Sequence, residues 1–353
     1  MSIIGFSLFS GAGIGETYLE ECGILIKTAN ELIERRANLY RSLYPNCNMI
    51  CGDITNKQIF DEIVKSAKGS EFLIASPPCQ GMSVAGKNRV QDDMIEDERN
   101  FLINWVFRAI EEIKPKYVII ENVPMLLKIK LPYNGELHSV EYILNSKFGD
   151  EYIITSKVVD SSDYGVPQTR LRAIIKMYPK STEWPWPPIE KHKTTVRDAI
   201  GSLPSIEAGE KSDIKWHFAR PHTSDNILWM KHTPTGCTAF KNEVYYPKKK
   251  DGTKIKGYES SYRRIKWDEP APTITIRNDC IASQRNVHPG RLLPDGTYSD
   301  ARVLTPLELM ILNSLPRNWN IPDDTPELLI RQVIGESIPP LMIKKIVGEL
   351  LCK

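Results

Sequence analysis

The 353-residue chain has no apolar run that approaches the roughly 18 residues needed to cross a membrane. Its opening, MSIIGFSLFSG, also lacks the basic start and the small-residue cleavage site of a signal peptide. These two absences predict a protein that works inside the cell and has no membrane partner.

Paired cysteines are absent as well. The seven cysteines are scattered and none belongs to a C-x-x-C pair, so we expect no disulfide bonds. Cys47 and Cys51 form one C-x-x-x-C segment without a second pair nearby. His217 and His222 have no Cys or carboxylate partner at a suitable spacing, so we expect no metal site.

Neither sign of charge is in large excess. A net charge of +2 and a pI near 8.0 permit nucleic-acid binding without requiring it. With 41% hydrophobic residues, the composition is that of a globular protein that can bury a core. The chain contains no internal repeat and no low-complexity tract beyond the short PKKKDGTKIKG.

What the first half does contain is a series of short runs rich in Ile and Val, separated by segments of helical spacing. Nearly continuous apolar runs are typical of parallel strands that helices cover on both faces. We therefore predict an α/β fold with a doubly wound, mostly parallel sheet.

The pattern changes after Tyr178, where PKSTEWPWPPIEKHK is dense in proline and tryptophan and no sustained helical period follows. We predict a first domain at residues 1–178 and a smaller, mostly β or irregular domain at residues 179–320. Helical spacing returns near the end, so we expect a C-terminal helix within residues 321–353 to pack back on the first domain.

Glycine-rich and acidic turns follow the first three predicted strands. A loop with three glycines, residues 11–15, follows the first strand, Glu31 ends the second and Asp53 follows the third. Because ligands of open α/β sheets bind at the carboxyl ends of the strands, these residues would line one crevice. Glu31 suits a ribose diol and Asp53 suits an adenine amino group, so we predict a nucleoside pocket.

Simpler explanations exist for each part of this crevice. Taken singly, the glycine loop could be only a tight turn, and each acid could be a helix cap or a solvated turn. A nicotinamide enzyme would share the loop and the first acid. The loop lacks the full G-x-G-x-x-G spacing, however, and no downstream residues suit hydride transfer.

A cysteine follows the fourth predicted strand in IASPPCQGMS. The two prolines restrict the backbone before Cys79, so its thiol should point in a narrow range of directions. At the end of a strand of the same sheet, that thiol would open onto the crevice. The alternative is a buried structural cysteine, since free cysteine is among the most buried residue types.

Further polar residues follow the fifth predicted strand and a later one. Glu121, in VIIENVP, follows four apolar residues, and partial burial would favour its neutral, proton-donating form. It could instead cap the next helix. Gln168, Arg170 and Arg172 alternate in PQTRLRAI, so on a strand they would face one side. Facing the crevice, the arginines could help to ionise the thiol and hold a polar ring.

Together these segments resemble the DNA cytosine-5 methyltransferase family, of the bacterial or phage restriction-modification type. The resemblance covers nearly the whole chain in the family's order. Its Pro-Pro-Cys-Gln, Glu-Asn-Val and Gln-x-Arg-x-Arg segments are very specific. The matching segments are FSLFSGAGIGE, ANE, GDI, SPPCQGMSVAGKNR, ENVP, YGVPQTRLR, PAPTITIR and IGESIPP.

The resemblance implies methyl transfer from S-adenosylmethionine to carbon 5 of cytosine, with S-adenosylhomocysteine as the product and no metal. It implies that Cys79 adds to carbon 6 of the ring as a thiolate. Glu121 would hold or protonate ring nitrogen 3, and Arg172 would bind the ring oxygen. Arg170 would support the arrangement of Cys79 and Glu121.

The resemblance also implies a site for the methyl donor within residues 1–178. Adenine would lie against Phe9 and Ile54, with Asp53 at its amino group and Glu31 on the ribose. In GESIPP, Glu336 stands where family members commonly have Asn, so that polar contact is not carried over. The implied donor-binding residues are Phe9, Gly11, Gly13, Glu31, Asp53, Ile54, Pro77, Leu102 and Ser337.

Double-stranded DNA is the implied substrate, with the target cytosine turned out of the helix. The loop after Cys79 would close over DNA, and residues 179–320 would be the target-recognition domain. The basic loop and PKKKDGTKIKG could instead be solvated segments without a DNA role. The residues that we assign to DNA binding are Gln80, Ser83, Lys87, Arg89, Lys248, Lys249, Arg263 and Arg264.

Two alternative functions share much of this pattern. The tRNA-methylating branch of the family shares the catalytic segments, but the chain lacks its Cys-Phe-Thr segment. A DNA-binding relative without catalysis is disfavoured by the intact catalytic set. We expect a monomer in the bacterial cytoplasm or in a phage-infected host, with a separately acting restriction endonuclease as a candidate partner.

Overall fold

The structure, a computed structural model, describes residues 2–78 and 102–351. The chain divides into two compact units. The first comprises Met1–Asp160, Leu171–Pro188 and Ile343–Lys353, and the second comprises Ser161–Arg170 and Ile189–Met342. The domain limits that we predict from the sequence, at residues 178 and 320, are not tested by this division and stay predictions.

One seven-stranded sheet forms the centre of the first unit. The strands of the described residues are β1 (Ile3–Leu8), β2 (Ile24–Glu31), β3 (Asn48–Cys51), β4 (Phe72–Ala75), β5 (Tyr117–Asn122), β6 (Lys130–Tyr133), β7 (Glu136–Ser139), β8 (Tyr152–Asp160) and β9 (Leu171–Pro179). The sheet has the order β3-β2-β1-β4-β5-β9-β8, and β6 and β7 form a separate hairpin. Its first five strands are parallel, and β9 is antiparallel to both of its neighbours, β5 and β8. The predicted doubly wound α/β fold is confirmed.

Helices bury both faces of this sheet, which is why its parallel strands are almost continuously apolar. On one face Phe107 and Ile110 pack into a cluster with Leu73 and Val118. Burial of such side chains stabilises the fold by about 1.5–3 kcal/mol each. On the other face Ala37 and Tyr40 pack with Ala29 and Met49. The helices that contribute to this unit are Glu34–Leu43, Lys57–Ala67, Ile103–Ile113, Val140–Phe148 and the later part of Pro340–Leu351.

The proline- and tryptophan-rich segment after β9 packs within the first unit. Lys176 on β9 is fully buried and donates to the carbonyl oxygens of Trp184 and Pro185 at 2.7 and 2.9 Å. Burial lowers the pKa of this lysine to about 8. The indole N–H of Trp184 donates to the Ile346 carbonyl at 2.7 Å. These contacts explain why the first unit extends to Pro188.

The second unit consists mostly of turns and irregular segments, with short helices and isolated bridges among them. The bridges include Lys248 with Lys254 and Val287 with Val303. Throughout the described ranges, no helix combines the length and the apolar character that a bilayer crossing requires. The helices of the second unit are Val196–Ile200, Ser224–Lys231, Pro306–Leu312 and Glu327–Glu336.

A network of buried charges holds part of the second unit together. Arg302 donates to both carboxylate oxygens of Glu308 at 2.8 and 3.0 Å and to Asp300 at 2.9 Å. Glu308 also accepts from the Thr305 backbone N–H, closing a capping box at the start of the helix Pro306–Leu312. Burial alone would raise the pKa of Glu308, but Arg302, His288 and His217 together outweigh burial and hold this pKa well below the usual range.

Replacing Glu308 with alanine should lower the free energy of unfolding by about 3–5 kcal/mol, because Arg302 would stay buried with only part of its neutralising charge. Urea unfolding near neutral pH measures this loss. Because the Glu308 pKa is depressed, its stabilisation is present above the unfolded value and is lost as pH falls.

The matched control for this variant is Glu269→Ala. Glu269 pairs with Lys266 at 2.5 Å, but both side chains are more than half exposed. An exposed pair contributes little, so this variant should unfold almost like the wild type. Equal midpoints for the two variants would show that the buried network does not stabilise this unit.

Candidate active site

The glycine-rich loop after β1 is joined to the acid at the end of β2. The Gly11 backbone N–H donates to Glu31 Oε2 at 2.9 Å, and the Ile33 N–H donates to Oε1 at 2.8 Å. Glu31 is only 6% exposed, and Arg36 Nη1 lies 3.9 Å from its Oε1. Backbone donors therefore orient this carboxylate beside the loop.

The loop has the open backbone that a nucleoside ligand needs. Gly11 has φ +56°, and a Cβ placed there would meet nothing within 4 Å. Gly13 has φ +73°, and a Cβ there would lie 2.4 Å from the Tyr44 ring and 2.8 Å from the Tyr40 ring. Gly13 is required for packing against the tyrosines, whereas Gly11 leaves space beside Glu31. These features fit the predicted donor site.

Other predicted donor-binding residues lie on the same unit. Asp53 is exposed, and its Oδ1 accepts from the Thr55 backbone N–H at 2.9 Å and the Thr55 hydroxyl at 2.8 Å. These contacts form a turn and leave Oδ2 to other partners. Ile54 lies in the apolar cluster against which Phe9 and Leu102 pack. The structure thus brings these three apolar side chains into one cluster.

A hydrogen bond holds the segment after β4 in place just before the predicted nucleophile, Cys79. Pro77 is buried, and its carbonyl accepts from Asn122 Nδ2 at 3.0 Å. This bond ties the end of β4 to the end of β5. The predicted residues Cys79, Gln80, Ser83, Lys87 and Arg89 lie outside the described residues.

An ion pair joins the end of β5 to the start of β9. Arg172 Nε lies 2.6 Å from Glu121 Oε1, and both side chains are nearly buried, with exposures of 12% and 10%. The antiparallel pairing of the two strands creates this contact, because the end of β5 meets the beginning of β9. Two of the predicted catalytic side chains are therefore in direct contact.

The expectation that Gln168, Arg170 and Arg172 share one strand face is wrong. The strand begins at Leu171, and the two earlier residues belong to the second unit. Arg170 is buried and donates to the carbonyl oxygens of Ile274 at 2.7 Å and Gly335 at 2.9 Å. Within that unit its guanidinium cross-links the backbone.

Ser337, the last predicted donor-binding residue, also lies in the second unit. Its hydroxyl donates to the Ile334 carbonyl at 3.0 Å and accepts from Asn313 Nδ2 at 3.1 Å. The neighbouring Glu336 carbonyl accepts from Arg170 at 3.1 Å. These bonds fix the backbone of the segment in which Glu336 replaces the common Asn.

The predicted DNA-binding cations of the second unit differ in exposure. Lys248 and Lys249 are exposed on a hairpin, and Arg263 is half-buried. Arg264, in contrast, has no exposed surface and donates to the carbonyl oxygens of Met230, His288, Asp300 and Ser299. We therefore correct its assignment: a cation enclosed by backbone carbonyls is a structural cross-link and cannot reach phosphate.

The described residues contain no group of three or more His, Cys, Asp or Glu side chains that could hold a metal ion.

A family model described as C-5 cytosine-specific DNA methylase matches residues 3–352. The chain belongs to this family. The resemblance drawn from the sequence motifs is confirmed.

The relatives of this methylase agree with that membership. It is 58% identical over 340 residues to the Type II methyltransferase M1.HgaI of Avibacterium volantium, covering 96% of this chain and 95% of that protein. It is 27% identical over 342 residues to the Type II methyltransferase M1.HphI of Haemophilus parahaemolyticus, covering 96% and 84%.

Solved structures show the same fold. The methylase has a TM-score of 0.73 to a crystal structure of an E. coli DNA modification methyltransferase encoded within a prophage, at 21% identity and with 100% of each chain covered. Family membership and fold together make the protein a DNA cytosine-5 methyltransferase that uses S-adenosylmethionine.

One exposed residue of the methylase was missed by sequence reasoning. Leu32 directly follows the buried Glu31, yet it is 62% exposed. A large apolar side chain beside the acid that we predict to bind the ribose suits the face of a purine. The signal that could have identified it is an apolar residue at a turn, just beyond the strand end that carries the acid.

Proposed function

We propose that this methyltransferase modifies one cytosine within a short, specific duplex DNA sequence through a covalent adduct with Cys79. The observation that carries the proposal is the nearly buried Glu121–Arg172 pair at 2.6 Å. It lies beside the strand end that leads to Cys79, because Asn122 bonds to Pro77. A carboxyl group and a guanidinium so placed match the nitrogen and oxygen on one edge of cytosine.

The methyl donor would bind where the glycine loop meets Glu31. Glu31 would accept hydrogen bonds from the ribose and Asp53 from the adenine amino group. Phe9, Ile54 and Leu102 would supply the apolar walls. S-adenosylmethionine supplies an electrophilic methyl group on a sulfonium, a chemistry that no side chain of the protein can provide.

In the proposed reaction, the Cys79 thiolate forms a bond to carbon 6 and pushes an electron pair toward carbon 5. Glu121 holds or protonates ring nitrogen 3, and Arg172 binds the ring oxygen, so both disperse the charge that the attack creates. Carbon 5 would take up the methyl group as the methyl–sulfur bond of the donor breaks and S-adenosylhomocysteine leaves, and it would then lose its proton to a base in solvent. Any proton that Glu121 gave to nitrogen 3 would return to Glu121. The electron pair returns to the ring double bond and expels the Cys79 sulfur.

DNA contacts are proposed for the loop after Cys79 and for the second unit. Lys248 and Lys249 stand exposed on a hairpin whose backbone bonds include Lys249 N–H to the Thr253 carbonyl at 2.8 Å. Such cations would bind phosphates and supply affinity that depends on salt. Arg263 remains in the proposed set, and Arg264 does not.

We also propose that the enzyme acts as a monomer in the bacterial cytoplasm or in a phage-infected host. Its relatives are named as Type II methyltransferases, which supports a separately acting restriction endonuclease as partner. Catalysis by a monomer is consistent with one duplex site and one flipped base per turnover.

Labelled methyl transfer tests the proposal directly. The purified protein is incubated with S-adenosyl-[methyl-³H]methionine and either mixed-sequence plasmid DNA or total tRNA. We expect label in 5-methylcytosine of DNA only, and bisulfite sequencing of the plasmid should place it at one short motif. Transfer to tRNA alone, or label in another base, would contradict the proposed function.

A further inference from the structure

A hydrogen-bond chain runs from the glycine loop to a buried carboxyl group. The Ser10 hydroxyl donates to Ser7 Oγ at 2.8 Å, and the Ser7 hydroxyl donates to Glu16 Oε1 at 2.5 Å. Tyr40 OH donates to Glu16 Oε2 at 2.5 Å. Glu16 and Ser7 are buried, whereas Ser10 is half-buried in the loop between Phe9 and Gly11.

The direction of this chain depends on the charge of Glu16. As an anion, Glu16 accepts hydrogen bonds from the Ser7 and Tyr40 hydroxyls, and the Ser10 hydroxyl donates its hydrogen to Ser7 Oγ. A protonated Glu16 has a hydrogen to donate, so one of the two hydroxyls has to accept it and turn its own hydrogen elsewhere.

The serine branch is the one that can reverse. If Tyr40 accepted the proton, its hydroxyl would have to turn to Cys47 Sγ at 3.6 Å, and thiol sulfur is a weak acceptor. If Ser7 accepts it, its hydrogen can turn to Ser10 Oγ, a good acceptor at 2.8 Å. The hydrogen of Ser10 would then leave the chain and turn into the loop.

We propose that Glu16 is a positioning residue for the methyl donor, because its protonation sets whether the Ser10 hydroxyl offers a lone pair or a hydrogen at the donor loop. With Glu16 ionised, Ser10 Oγ presents lone pairs, which suit the ammonium group of the donor. With Glu16 protonated, one lone pair of Ser10 Oγ accepts from Ser7 and its hydrogen is free to point into the loop, which weakens the attraction for that ammonium. The inference rests on the proposed donor site and goes beyond it by naming a control of donor affinity.

Of the titratable groups in this buried cluster, Glu16 is the one whose pKa lies near neutrality. Burial raises its pKa to about 7, although the Ser7 and Tyr40 hydroxyls act in the opposite direction. Burial also raises the pKa values of Tyr40, Tyr44 and Cys47, that of Cys47 to about 11, so all three stay neutral. The positive charge of Lys27 lowers the pKa of Cys47, but it does not outweigh burial.

Folding stability provides an independent readout of the same proton. The pKa of Glu16 is raised from 4.5 to about 7 in the folded protein. Its favourable contribution is therefore complete below about pH 4.5 and is lost as pH rises through about 7. Glu16→Gln should remove this loss, so its melting temperature should fall less between those pH values.

Donor binding is the main test. Isothermal titration calorimetry with S-adenosylhomocysteine, which carries the ammonium but no sulfonium, is run from about pH 5.5 to about 7.5. The ligand's own amino group, with a pKa of about 7.7–8.0, begins to lose its proton only at the upper end of this range, and it does so equally with every variant. For the wild type we expect the affinity to rise about tenfold over this interval, the effect of one charge-assisted hydrogen bond.

Three variants and a control test whether the pH dependence of donor affinity runs through the hydrogen-bond chain or has another cause. Glu16→Gln and Ser10→Ala should each give a flat profile. Ser7→Ala should also be flat, although Glu16 still titrates, because the chain is cut. Ser66→Ala removes a hydroxyl that pairs with Thr28 at 2.8 Å, outside the chain, and should keep the wild-type profile.

Several outcomes would overturn the inference. A wild-type slope that persists in Ser7→Ala would mean that the Glu16 charge acts through space. A slope that persists in Glu16→Gln would assign the titration to another group, and a flat wild-type profile would remove the effect itself. Ser10→Ala changes only a half-buried loop residue, so it gives a result even if the buried variants fail to fold. Failure of the proposed function would appear separately, as absent methyl transfer by the wild type.

Discussion

Replacing Cys79 with alanine should lower methyl transfer by about 10⁴-fold or more, the scale seen when an enzyme loses its covalent nucleophile. Carbon 5 of cytosine is too electron-poor to accept a methyl cation until a nucleophile has added at carbon 6. The proposed donor site at Glu31 does not depend on the Cys79 thiol. S-adenosylhomocysteine affinity should therefore remain at the wild-type level in this variant.

Trapping of the covalent adduct identifies the sulfur that attacks carbon 6, independently of the Cys79→Ala variant. A duplex with 5-fluorocytosine at the target cannot lose its carbon 5 substituent as a proton, so the adduct should persist. Trypsin releases residues 69–87 as one peptide, and Cys79 is the only cysteine in it. The adduct should map to this peptide in the wild type and in Cys237→Ala, whose thiol lies in the second unit. An adduct on another peptide would refute the mechanism.

Much of the first unit could be predicted because its signals are local. Short apolar runs indicated buried strands, and the rule that ligands bind at strand ends grouped Glu31 and Asp53 with the glycine loop. The structure places Gly11 in hydrogen-bond contact with Glu31, so this part of the inference needed only the order of strands and turns.

The roles of buried cations could not be predicted in this way. Arg264 stands in a basic segment that resembles a phosphate-binding surface, yet carbonyl groups from four separate positions enclose it. The expected strand-face position of Arg170 was wrong for a similar reason, because its acceptors lie more than a hundred residues away, at Ile274 and Gly335. Sequence spacing carries no information on such distant carbonyls.

The carboxyl group of Glu16 was also absent from the sequence-based site. An acid one turn after a glycine loop is usually a solvated residue or a helix-dipole partner. Its burial depends on Tyr40, which arrives from the helix Glu34–Leu43, and on Ser7 from β1. Only the packing of three elements turns this acid into a group that titrates near neutrality.

Glu121→Gln should lower methyl transfer by about 10²–10⁴-fold, the usual contribution of a positioned proton donor. The glutamine amide can still donate a hydrogen bond to ring nitrogen 3, but it cannot deliver a proton. Glu121→Ala removes both abilities. Comparing single-turnover rates of the two variants therefore separates holding the ring from protonating it, the two roles that the proposal leaves open.

The reference for both variants is Glu111→Gln, which breaks the exposed pair with Lys147 at 2.6 Å in the same unit. Its rate should match that of the wild type, since exposed pairs contribute little. If Glu121→Gln also keeps the wild-type rate while Glu121→Ala loses activity, Glu121 only holds the ring. If both keep the wild-type rate, the contact with Arg172 is structural, and the charge that develops on the ring must be stabilised by Arg172 alone.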